Sequence, residues 1–489
     1  MSWSNNAARI RREVLVRTAR LAFEGRLEEG AERIAYEMTG PGWETVRCCL
    51  HHDRAIIRLR VMAALGFSPQ GLEVEDRPLS EYAAEAKARA LAGPAPRRAR
   101  DAGGSFLSIN DEACNACVRT RHRVTEACQA CLARPCRMGC PKGAVSFREG
   151  RAWIDPDKCV DCGLCLKSCP FSAIIKQSVP CEEACPAGAI AKDGEGRERI
   201  DESRCIECGK CLKACPFGAV SEATQAVDLA LALAAGTKAT LLLAPAMAVQ
   251  FPGGFARLSA AAKRLGFARV VEAARGADET ARLEAAELAH RKAAGRGFMT
   301  SSCCPAWARA ARLAGPALAA RLSETPSPMR LGAAALKAEE PGSLMVFAGP
   351  CAAKRREGAE DGNVDYVITA EELGALLVAA GVDVAAEEPA AASPGERPSP
   401  EARLFAVSGG VAAAVAAATA KAGLPSFKAV TVDGLTKASL RQAESWEKTA
   451  PEADLVEVMA CEGGCAAGPC ALANPRTAAA QLAAFAKAQ

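Results

Sequence analysis

The chain has 489 residues, half of them hydrophobic and only 4% aromatic, which is enough for about three domains with cores of small side chains. Its 61 basic and 57 acidic residues leave a formal net charge of +4, too balanced to indicate binding to nucleic acid or an acidic membrane. No stretch approaches the roughly 18 consecutive apolar residues of a spanning helix, and the N-terminus lacks the apolar segment of a secretory signal, so we expect a cytoplasmic protein.

Cysteine is the unusual component, with 24 Cys against only 4 His. A disulfide framework is not expected in a chain this long without a signal. So few histidines also argue against sites that mix Cys and His. The composition therefore predicts thiolate-only metal sites, with either zinc or iron–sulfur clusters.

Residues 1–92 predict a small helical domain, since Ile10, Val14 and Leu21 recur at helical intervals. The arginines between them indicate a solvated helix face, and a docking surface is the alternative. Because neighbouring thiols rarely ligate one metal, the adjacent Cys48 and Cys49 are expected to be small buried residues. Residues 93–110, rich in Pro, Gly and Ala, are interpreted as a linker.

Residues 111–222 contain sixteen cysteines and an internal repeat. The segments KCVDCGLCLKSCPFSAI and RCIECGKCLKACPFGAV, which start at Lys158 and Arg204, each contain the C-x2-C-x2-C-x3-C-P run of bacterial ferredoxins. Each is preceded by a second match, PCRMGCPKGAV from Pro135 and PCEEACPAGAI from Pro180. The cysteines repeat at an offset of 45 or 46 residues.

The repeat lacks one cysteine pair. Cys128 and Cys131 open the first copy, but Ala173 and Lys176 stand 45 residues later. We assign the spare upstream pair to the second copy, which gives four [4Fe–4S] sites: Cys128, Cys131, Cys136 and Cys169; Cys159, Cys162, Cys165 and Cys140; Cys205, Cys208, Cys211 and Cys185; and Cys114, Cys117, Cys181 and Cys215. Structural zinc remains the alternative, although it favours two separated C-x2-C pairs over compact triplets.

Residues 223–489 change to an α/β pattern. Ala-rich helical stretches separate expected strands, and residues 387–402 are interpreted as a low-complexity surface insertion. The expected strands cover residues 239–246, 268–273, 343–349, 427–433 and 455–460.

The cysteines of this region lie in three dispersed motifs at strand ends. They are Thr-Ser-Ser-Cys-Cys-Pro-Ala-Trp, Gly-Pro-Cys-Ala-Ala-Lys-Arg-Arg-Glu and Glu-Val-Met-Ala-Cys-Glu-Gly-Gly-Cys-Ala-Ala-Gly. Together they supply four or more thiols, which predicts a further cluster assembled from distant segments. Such a cluster would end the chain of clusters and is a candidate catalytic site.

These three motifs resemble the signatures of [FeFe]-hydrogenases, TSCCPxW, MPCxxKxxE and ExMxCxxGCxxG, over about residues 225–475. In detail the chain is most similar to the divergent, monomeric, group B-like branch with a Cys-rich N-terminal region. The resemblance implies a two-lobed α/β catalytic domain, preceded by α+β ferredoxin-like iron–sulfur domains and the small helical domain.

The resemblance also implies an H-cluster, a [4Fe–4S] cubane joined by a cysteine to a two-iron centre with CO, cyanide and a dithiolate bridge. By motif, Cys465 is the bridging ligand, Cys303 passes protons, Lys354 pairs with a cyanide, and Met459 packs beside the iron pair. The cubane ligands implied are Cys304, Cys351, Cys461 and Cys465.

Further segments resemble the same family. Ala244-Pro245-Ala246, Pro350 and the Gly409-Gly410 turn correspond to segments that would contact the cofactor, and Val364 to Thr369 resembles its DYVLT segment. Glu284, Glu287 and Ser323 correspond to the family's proton relay, although a solvated helix face is the alternative for the two glutamates.

Several positions depart from the family pattern. Gly349 replaces a Met, Met329 stands where a Gln is usual, Ala406 replaces a Gly, and Cys470 interrupts a glycine triplet. They leave the implied ligands intact but put pocket polarity, catalytic bias and oxygen tolerance in doubt. Cys470 is interpreted as a buried small residue or a redox thiol.

The expected function is reversible hydrogen oxidation and proton reduction, with ferredoxin or a similar carrier as electron partner and with maturation proteins. The alternatives are a non-catalytic iron–sulfur assembly protein resembling the Narf-like relatives and a hydrogen sensor. An assembly protein needs no proton path, and no PAS-like sensory module is evident. The separated C-x2-C pairs of a nickel–iron enzyme are absent from the sequence.

Overall fold

The computed structural model describes residues 5–70, 77–94, 105–114, 117, 121–390 and 397–487. Residues 95–104 of the expected linker and 391–396 of the expected insertion lie outside the described residues. Among the described residues, none of the helices combines the length and the apolar character needed to cross a membrane.

The N-terminal region consists of helices that share a continuous core with the first lobe of the C-terminal domain. Asn5 caps the first helix, and Ile10 and Val14 lie on its buried face. The helices are α1 (Asn6–Phe23), α2 (Leu27–Gly30), α3 (Ile34–Met38), α4 (Leu50–Ala64) and α5 (Leu79–Leu91).

Two expectations for this region are wrong. Arg11 and Arg12 are not a simple solvated face, because both guanidinium groups pair with the buried carboxylate of Glu371 in the C-terminal domain. Cys48 and Cys49 are exposed, not buried. They lie immediately before α4, on the solvent side of its first turn.

The cysteine-rich region is built from two-stranded antiparallel sheets and single-turn helices. Strand β1 lies in the last residues of the expected linker and pairs with β8, so those residues are part of this region. The strands are β1 (Leu107–Ile109), β2 (His122–Val124), β3 (Val145–Arg148), β4 (Arg151–Ile154), β5 (Ile174–Lys176), β6 (Ile190–Lys192), β7 (Glu198–Ile200) and β8 (Val220–Glu222). The short helices are α6 (Pro135–Met138), α7 (Leu164–Ser168), α8 (Pro180–Ala184) and α9 (Lys210–Ala214).

These sheets form two copies of one unit. The outer copy, residues 121–176, holds the pairs β2–β5 and β3–β4. The inner copy, residues 178–222 with β1, Cys114 and Cys117, holds β1–β8 and β6–β7. The inner copy lies against the C-terminal domain, since Arg356 there forms a two-bond ion pair with the buried Glu207.

The C-terminal domain contains two parallel sheets, with strand orders β10-β9-β12-β13 and β11-β15-β14. Most of their strands are buried and read as near-continuous apolar runs, because helices cover parallel sheets on both faces. The edge strand β14 is the exception and is largely exposed. The five expected strands are present; β11 and β13 were not among them. The strands are β9 (Ala239–Leu243), β10 (Arg269–Glu272), β11 (Met299–Thr300), β12 (Leu344–Ala348), β13 (Tyr366–Ile368), β14 (Ala429–Asp433) and β15 (Leu455–Met459).

The helices of this domain begin at clear sequence signals. Ser327 and Pro328 start α15, and a capping box of Thr369 and Glu372 starts α17. Helix α18 begins within the expected insertion. The helices are α10 (Ala226–Ala234), α11 (Gly254–Leu265), α12 (Ala274–Ala293), α13 (Pro305–Ala314), α14 (Pro316–Ala319), α15 (Pro328–Glu339), α16 (Lys354–Glu360), α17 (Ala370–Ala379), α18 (Pro400–Arg403), α19 (Gly410–Lys421), α20 (Lys437–Glu444) and α21 (Pro475–Lys487).

Candidate functional site

The carboxyl ends of both parallel sheets meet at one cavity. The residues that follow β9, β10, β12 and β15 all contribute to its wall: Ala244, Ala273, Gly349 and Ala460. Ligand sites of open α/β sheets lie in this position, outside the carboxyl ends of the strands. Among the described residues that line the cavity, Lys354 alone carries a charge.

Four thiols converge on this cavity from three separate segments. Cys304 precedes α13, Cys351 follows β12, Cys461 follows β15, and Cys465 starts the turn beyond it. Burial raises the pKa of Cys461 well above its ordinary value, and the charges of Cys351, Cys465 and Cys304 raise it further. The four sulfurs are therefore close enough to interact electrostatically.

This donor set fits an iron–sulfur cubane. Cubanes are held by four cysteine thiolates, and four thiolates at one site repel one another unless a cationic core lies between them. The remainder of the cavity wall is apolar apart from Lys354. The residues that would hold the cubane are Cys304, Cys351, Cys461 and Cys465.

Cys303 lies beside this quartet, but its charged neighbours include the carboxyl group of Glu284. Its thiol is partly buried, and desolvation together with the charge of Glu284 raises its pKa well above the ordinary value, so the group is a neutral thiol. The adjacent Cys304 is the residue that precedes helix α13, which begins at Pro305. Cys303 thus lies at the cavity wall within electrostatic reach of Glu284 on helix α12.

Lys354 places its ammonium group at the cavity wall, where three oxygen acceptors hold it. The Nζ atom donates to Ser327 Oγ at 3.2 Å and to the Cys303 carbonyl at 3.3 Å, and it pairs with Glu357. Burial opposes its charge, but the pKa of Lys354 is raised overall by Glu357 and the nearby thiols. The cavity therefore carries a fixed positive charge suited to an anionic diatomic ligand.

Glu284 is completely buried on α12. Neither of its carboxylate oxygens has a hydrogen-bond partner within the described part of the chain. Burial raises its pKa from 4.5 to about 8, so the carboxyl group is protonated at neutral pH. The alternative of a solvated helix face is therefore wrong for Glu284.

Glu287 lies one turn further along α12 than Glu284, and Ser323 lies beside it on another segment. The Ser323 hydroxyl donates to the Glu287 carboxylate at 2.8 Å, and Thr325 Oγ1 donates to it at 3.0 Å. Arg291 pairs with the same carboxylate at 2.9 Å. Ser323 and Thr325 also line a polar cleft, so polar groups extend from the cavity toward that cleft.

The remaining expected cofactor contacts divide into two groups. Pro245, Pro350 and Met459 line the cavity. Ala246, Gly409 and Gly410 do not; they lie behind the wall, where Ala246 packs against Ala406 and Ala466. Ala406 itself lines the cavity, as do the departures Gly349 and Met329.

Sequence reasoning missed Glu457, although it belongs to the motif that supplied Met459 and Cys461. It is completely buried, and its carboxylate accepts the backbone N–H groups of Gly409 and Ala412 at 2.8 Å each. It therefore fixes the glycine turn behind the cavity. Glu457 lies two residues before Met459, on the same face of β15, and this spacing could have indicated a buried acid.

The inner copy reaches the same cavity. Cys208 lines it, and the charge of Cys208 contributes to the raised pKa of Cys461. Burial and the neighbouring Cys185 and Cys205 raise the pKa of Cys208 itself to about 12. A cluster held by this quartet would thus lie next to the one in the cavity.

The quartet of Cys114, Cys117, Cys181 and Cys215 also comes together. Burial raises the pKa of Cys181 to about 12, and the charges of Cys215, Cys117 and Cys114 contribute. Four Cys-Pro-x-x-Ala turns repeat one contact, in which the alanine N–H donates to the cysteine sulfur at 3.2–3.4 Å. The cysteines of these turns are Cys140, Cys169, Cys185 and Cys215.

Two contacts qualify the expectation against mixed Cys–His sites. His122, Cys159 and Asp161 lie close enough together to share an ion, although Cys159 belongs to an expected cubane quartet. Cys48 Sγ lies 3.2 Å from His52 Nδ1.

Cys470 is buried, with its sulfur 3.7 Å from the Glu222 carboxylate, and it does not line the cavity.

The architecture and its cysteine quartets define an α/β protein with a chain of iron–sulfur cofactors that leads to a buried site. Residues 237–469 match the iron only hydrogenase large subunit, C-terminal domain. Residues 152–175 match the 4Fe-4S binding domain, and residues 176–226 match the LdpA Fe-S cluster-binding domain. The chain is an [FeFe]-hydrogenase-like protein with N-terminal iron–sulfur domains.

Individual proteins match over shorter stretches. Iron hydrogenase 1 of Clostridium pasteurianum is 32% identical over 173 residues, which cover 32% of this chain and 30% of that protein. Ferredoxin 7Fe of Hydrogenibacillus schlegelii is 38% identical over 60 residues, which cover 12% of this chain and 77% of that protein. The chain spans 30–56% of the length of four curated relatives that it matches, and Iron hydrogenase 1 is one of them. The solved apo [FeFe]-hydrogenase HydA1 from Chlamydomonas reinhardtii matches at a TM-score of 0.41 and 23% identity, over 51% of this chain and 83% of that one.

Proposed function

We propose that this protein is a hydrogenase that interconverts protons and H₂, 2H⁺ + 2e⁻ ⇌ H₂, at an H-cluster fed by four [4Fe–4S] clusters. One observation carries the proposal. A partly buried neutral thiol, Cys303, and a buried neutral carboxyl group, Glu284, lie beside a four-thiol cavity that holds a single lysine. A cluster that only transferred electrons would need neither group.

The H-cluster, when bound, supplies the iron centre at which electrons and protons combine. Cys304, Cys351, Cys461 and Cys465 hold its cubane, and Lys354 holds a positive charge toward its anionic ligands. The apolar wall, including Met329, Phe405 and Met459, excludes water from the cavity. Exclusion of water strengthens the electrostatic effect of the single ammonium group.

The proton path uses groups that are neutral where they meet the cavity. Cys303 holds a proton on its sulfur, and Glu284 holds one on its carboxyl group. Ser323 connects the buried segment to Glu287, whose carboxylate pairs with Arg291. Protons thus move between the polar cleft and the cavity through side chains of α12 and the Ser323 segment.

The electron path uses the two ferredoxin-like copies. The inner copy contributes Cys208 to the cavity wall. The outer copy lies at the surface, with exposed apolar side chains and ten Lys and Arg against five Asp and Glu. This surface suits an acidic electron carrier such as a ferredoxin. Its exposed apolar residues are Leu132, Met138, Val160, Leu164, Phe171 and Ile175.

Infrared spectroscopy tests this proposal most specifically. The full chain is produced with the radical-SAM maturation proteins, and its spectrum is recorded before and after exposure to H₂. We expect carbonyl and cyanide stretches that shift on exposure to H₂. A fully iron-loaded protein without these bands would instead support the non-catalytic assembly function.

A further inference from the structure

A second group of metal-binding side chains lies outside the cluster region, at the start of α4. The sequence there is Cys-Cys-Leu-His-His, residues 48–52, which contains two of the four histidines of the chain. Cys48, Cys49 and His51 are exposed, and His52 is partly buried. The expected cubane quartets use neither of these two cysteines.

Two of the three distances between these side chains, both of them from Cys48, are those of ligands that share one small cation. Cys48 Sγ lies 3.9 Å from Cys49 Sγ and 3.2 Å from His52 Nδ1. In a tetrahedral zinc site, two sulfurs lie about 3.8 Å apart, and a sulfur and a nitrogen lie about 3.5 Å apart. Cys49 is exposed, so its side chain has room to turn toward His52.

His52 is held in the orientation and tautomer that a metal ligand needs. Its Nε2 atom lies 3.0 Å from the Glu112 backbone carbonyl and 3.3 Å from the Glu112 carboxylate. Both are acceptors, so Nε2 carries the proton and donates it, which leaves the lone pair of Nδ1 directed at Cys48. Histidines that ligate zinc commonly donate their second nitrogen to a carboxylate or carbonyl in this way.

Cys49 is the residue that precedes the first turn of α4, and its thiol is exposed to solvent. The second sulfur ligand therefore lies at the start of the helix that carries His52.

We propose that Cys48, Cys49 and His52 bind one zinc-class divalent cation, independently of the iron–sulfur clusters. The site has two sulfur ligands and one nitrogen ligand, and its fourth position faces solvent. Soft thiolates with an imidazole favour zinc over the hard cations magnesium and calcium.

The cation would fasten α4 to the segment that carries Cys114. His52 already contacts Glu112, Arg47 donates to the Ala113 carbonyl at 2.6 Å, and Asn110 donates to the Ile56 carbonyl at 3.2 Å. A cation on His52 strengthens its N–H as a donor and so stabilises this junction. The site thus has a structural role, in which it joins α4 to the inner copy.

Zinc binding to the full, cluster-loaded chain tests the proposal. The protein is reduced with a phosphine, incubated with one equivalent of Zn²⁺ and desalted, and zinc and iron are measured together. We expect one zinc per chain at unchanged iron content. X-ray absorption at the zinc edge, which iron does not obscure, should give two sulfurs at about 2.3 Å and nitrogen or oxygen at about 2.0 Å.

The variants assign that zinc to these residues. The double variant Cys48→Ser, Cys49→Ser should retain less than one tenth of the wild-type zinc, and His52→Ala should bind it at least tenfold more weakly. His290→Ala removes an exposed histidine elsewhere and should bind zinc as the wild type does. If the double variant keeps its zinc at equal iron content, or if the reduced wild type takes up none, the proposal is wrong.

Discussion

The outer and inner ferredoxin-like copies share one cysteine pattern but differ in burial and charge. Six of the eight expected cluster cysteines of the inner copy are buried, against two in the outer copy, Cys136 and Cys165. Residues 178–222 of the inner copy contain nine acidic and six basic residues, whereas the outer copy has five acidic and ten basic residues. The same motif thus serves two positions along one electron path.

This contrast has a physical consequence for the clusters. Nearby charge, hydrogen bonds to sulfur and solvent exposure set the reduction potential of a cubane. The Cys-Pro-x-x-Ala turns give both copies one N–H to sulfur contact in common. The inner copy adds N–H contacts from Glu198 to Cys114 and from Glu207 to Cys205, both at 3.4 Å, and it also differs in charge and exposure. The exposed, basic copy is suited to receive electrons from a carrier, and the buried copy is suited to deliver them to the cavity.

The largest expected effect comes from removing one cluster from each copy. The double variants Cys205→Ala, Cys208→Ala and Cys159→Ala, Cys162→Ala should each lose about four iron atoms of about 22, since a cubane holds four. The inner variant should lose H₂ evolution with every reductant. The outer variant should lose it with a ferredoxin but retain it with a small viologen that reaches the inner copy. Equal losses with both reductants would remove the functional distinction between the copies.

Cys303→Ala separates proton supply from electron supply. The variant should keep its full iron content because the assigned ligands are intact, yet turnover should fall by about 10²–10⁴-fold, the usual contribution of a positioned acid or base. Cys303→Asp should recover part of the rate. Cys304→Ala is the matched comparison and should lose the cavity cluster itself. Wild-type turnover in Cys303→Ala would show that the adjacent pair is assigned wrongly.

Glu284→Gln should change the pH dependence of stability. The folded-state pKa of about 8 exceeds the ordinary 4.5, so the stabilising effect of the neutral carboxyl group is complete below about pH 4.5 and is lost as the pH rises to 8. Glutamine does not titrate. The melting temperature of the variant should therefore rise relative to wild type between pH 5 and pH 8, by an amount equivalent to a few kcal/mol. A pH-independent difference would contradict a neutral, buried Glu284.

The smallest expected effect concerns the junction between the two copies. Arg121 of the outer copy pairs with Glu182 of the inner copy, and its side chain is 37% exposed. Because solvent screens such a pair, Arg121→Ala should reduce the free energy of unfolding by less than about 1 kcal/mol, as chemical denaturation would measure. A loss of several kcal/mol would mean that this contact, not the surrounding packing, joins the copies.

The sequence predicted the five expected strands and the four thiols that meet at the cavity, because both lie in local patterns. The pairing of the other sixteen cysteines into quartets stays a prediction. Contacts between distant segments left no local pattern. Arg11 and Arg12 looked like a solvated face because their partner Glu371 lies some 360 residues away. Cys48 and Cys49 looked like core residues because their relation to His52 and Glu112 depends on packing. Glu457 was overlooked because the backbone donors that hold its carboxylate lie 45 and 48 residues away.

Deuterium exchange tests the central claim most directly. The matured full chain is placed under D₂ in ordinary water, without any electron carrier, and the gas is followed by mass spectrometry. If the cavity cleaves hydrogen and exchanges its protons with solvent through Cys303 and Glu284, HD and then H₂ should accumulate, and Cys303→Ala should slow both. Protein that has its carbonyl and cyanide bands but forms no HD would contradict the proposed hydrogenase function.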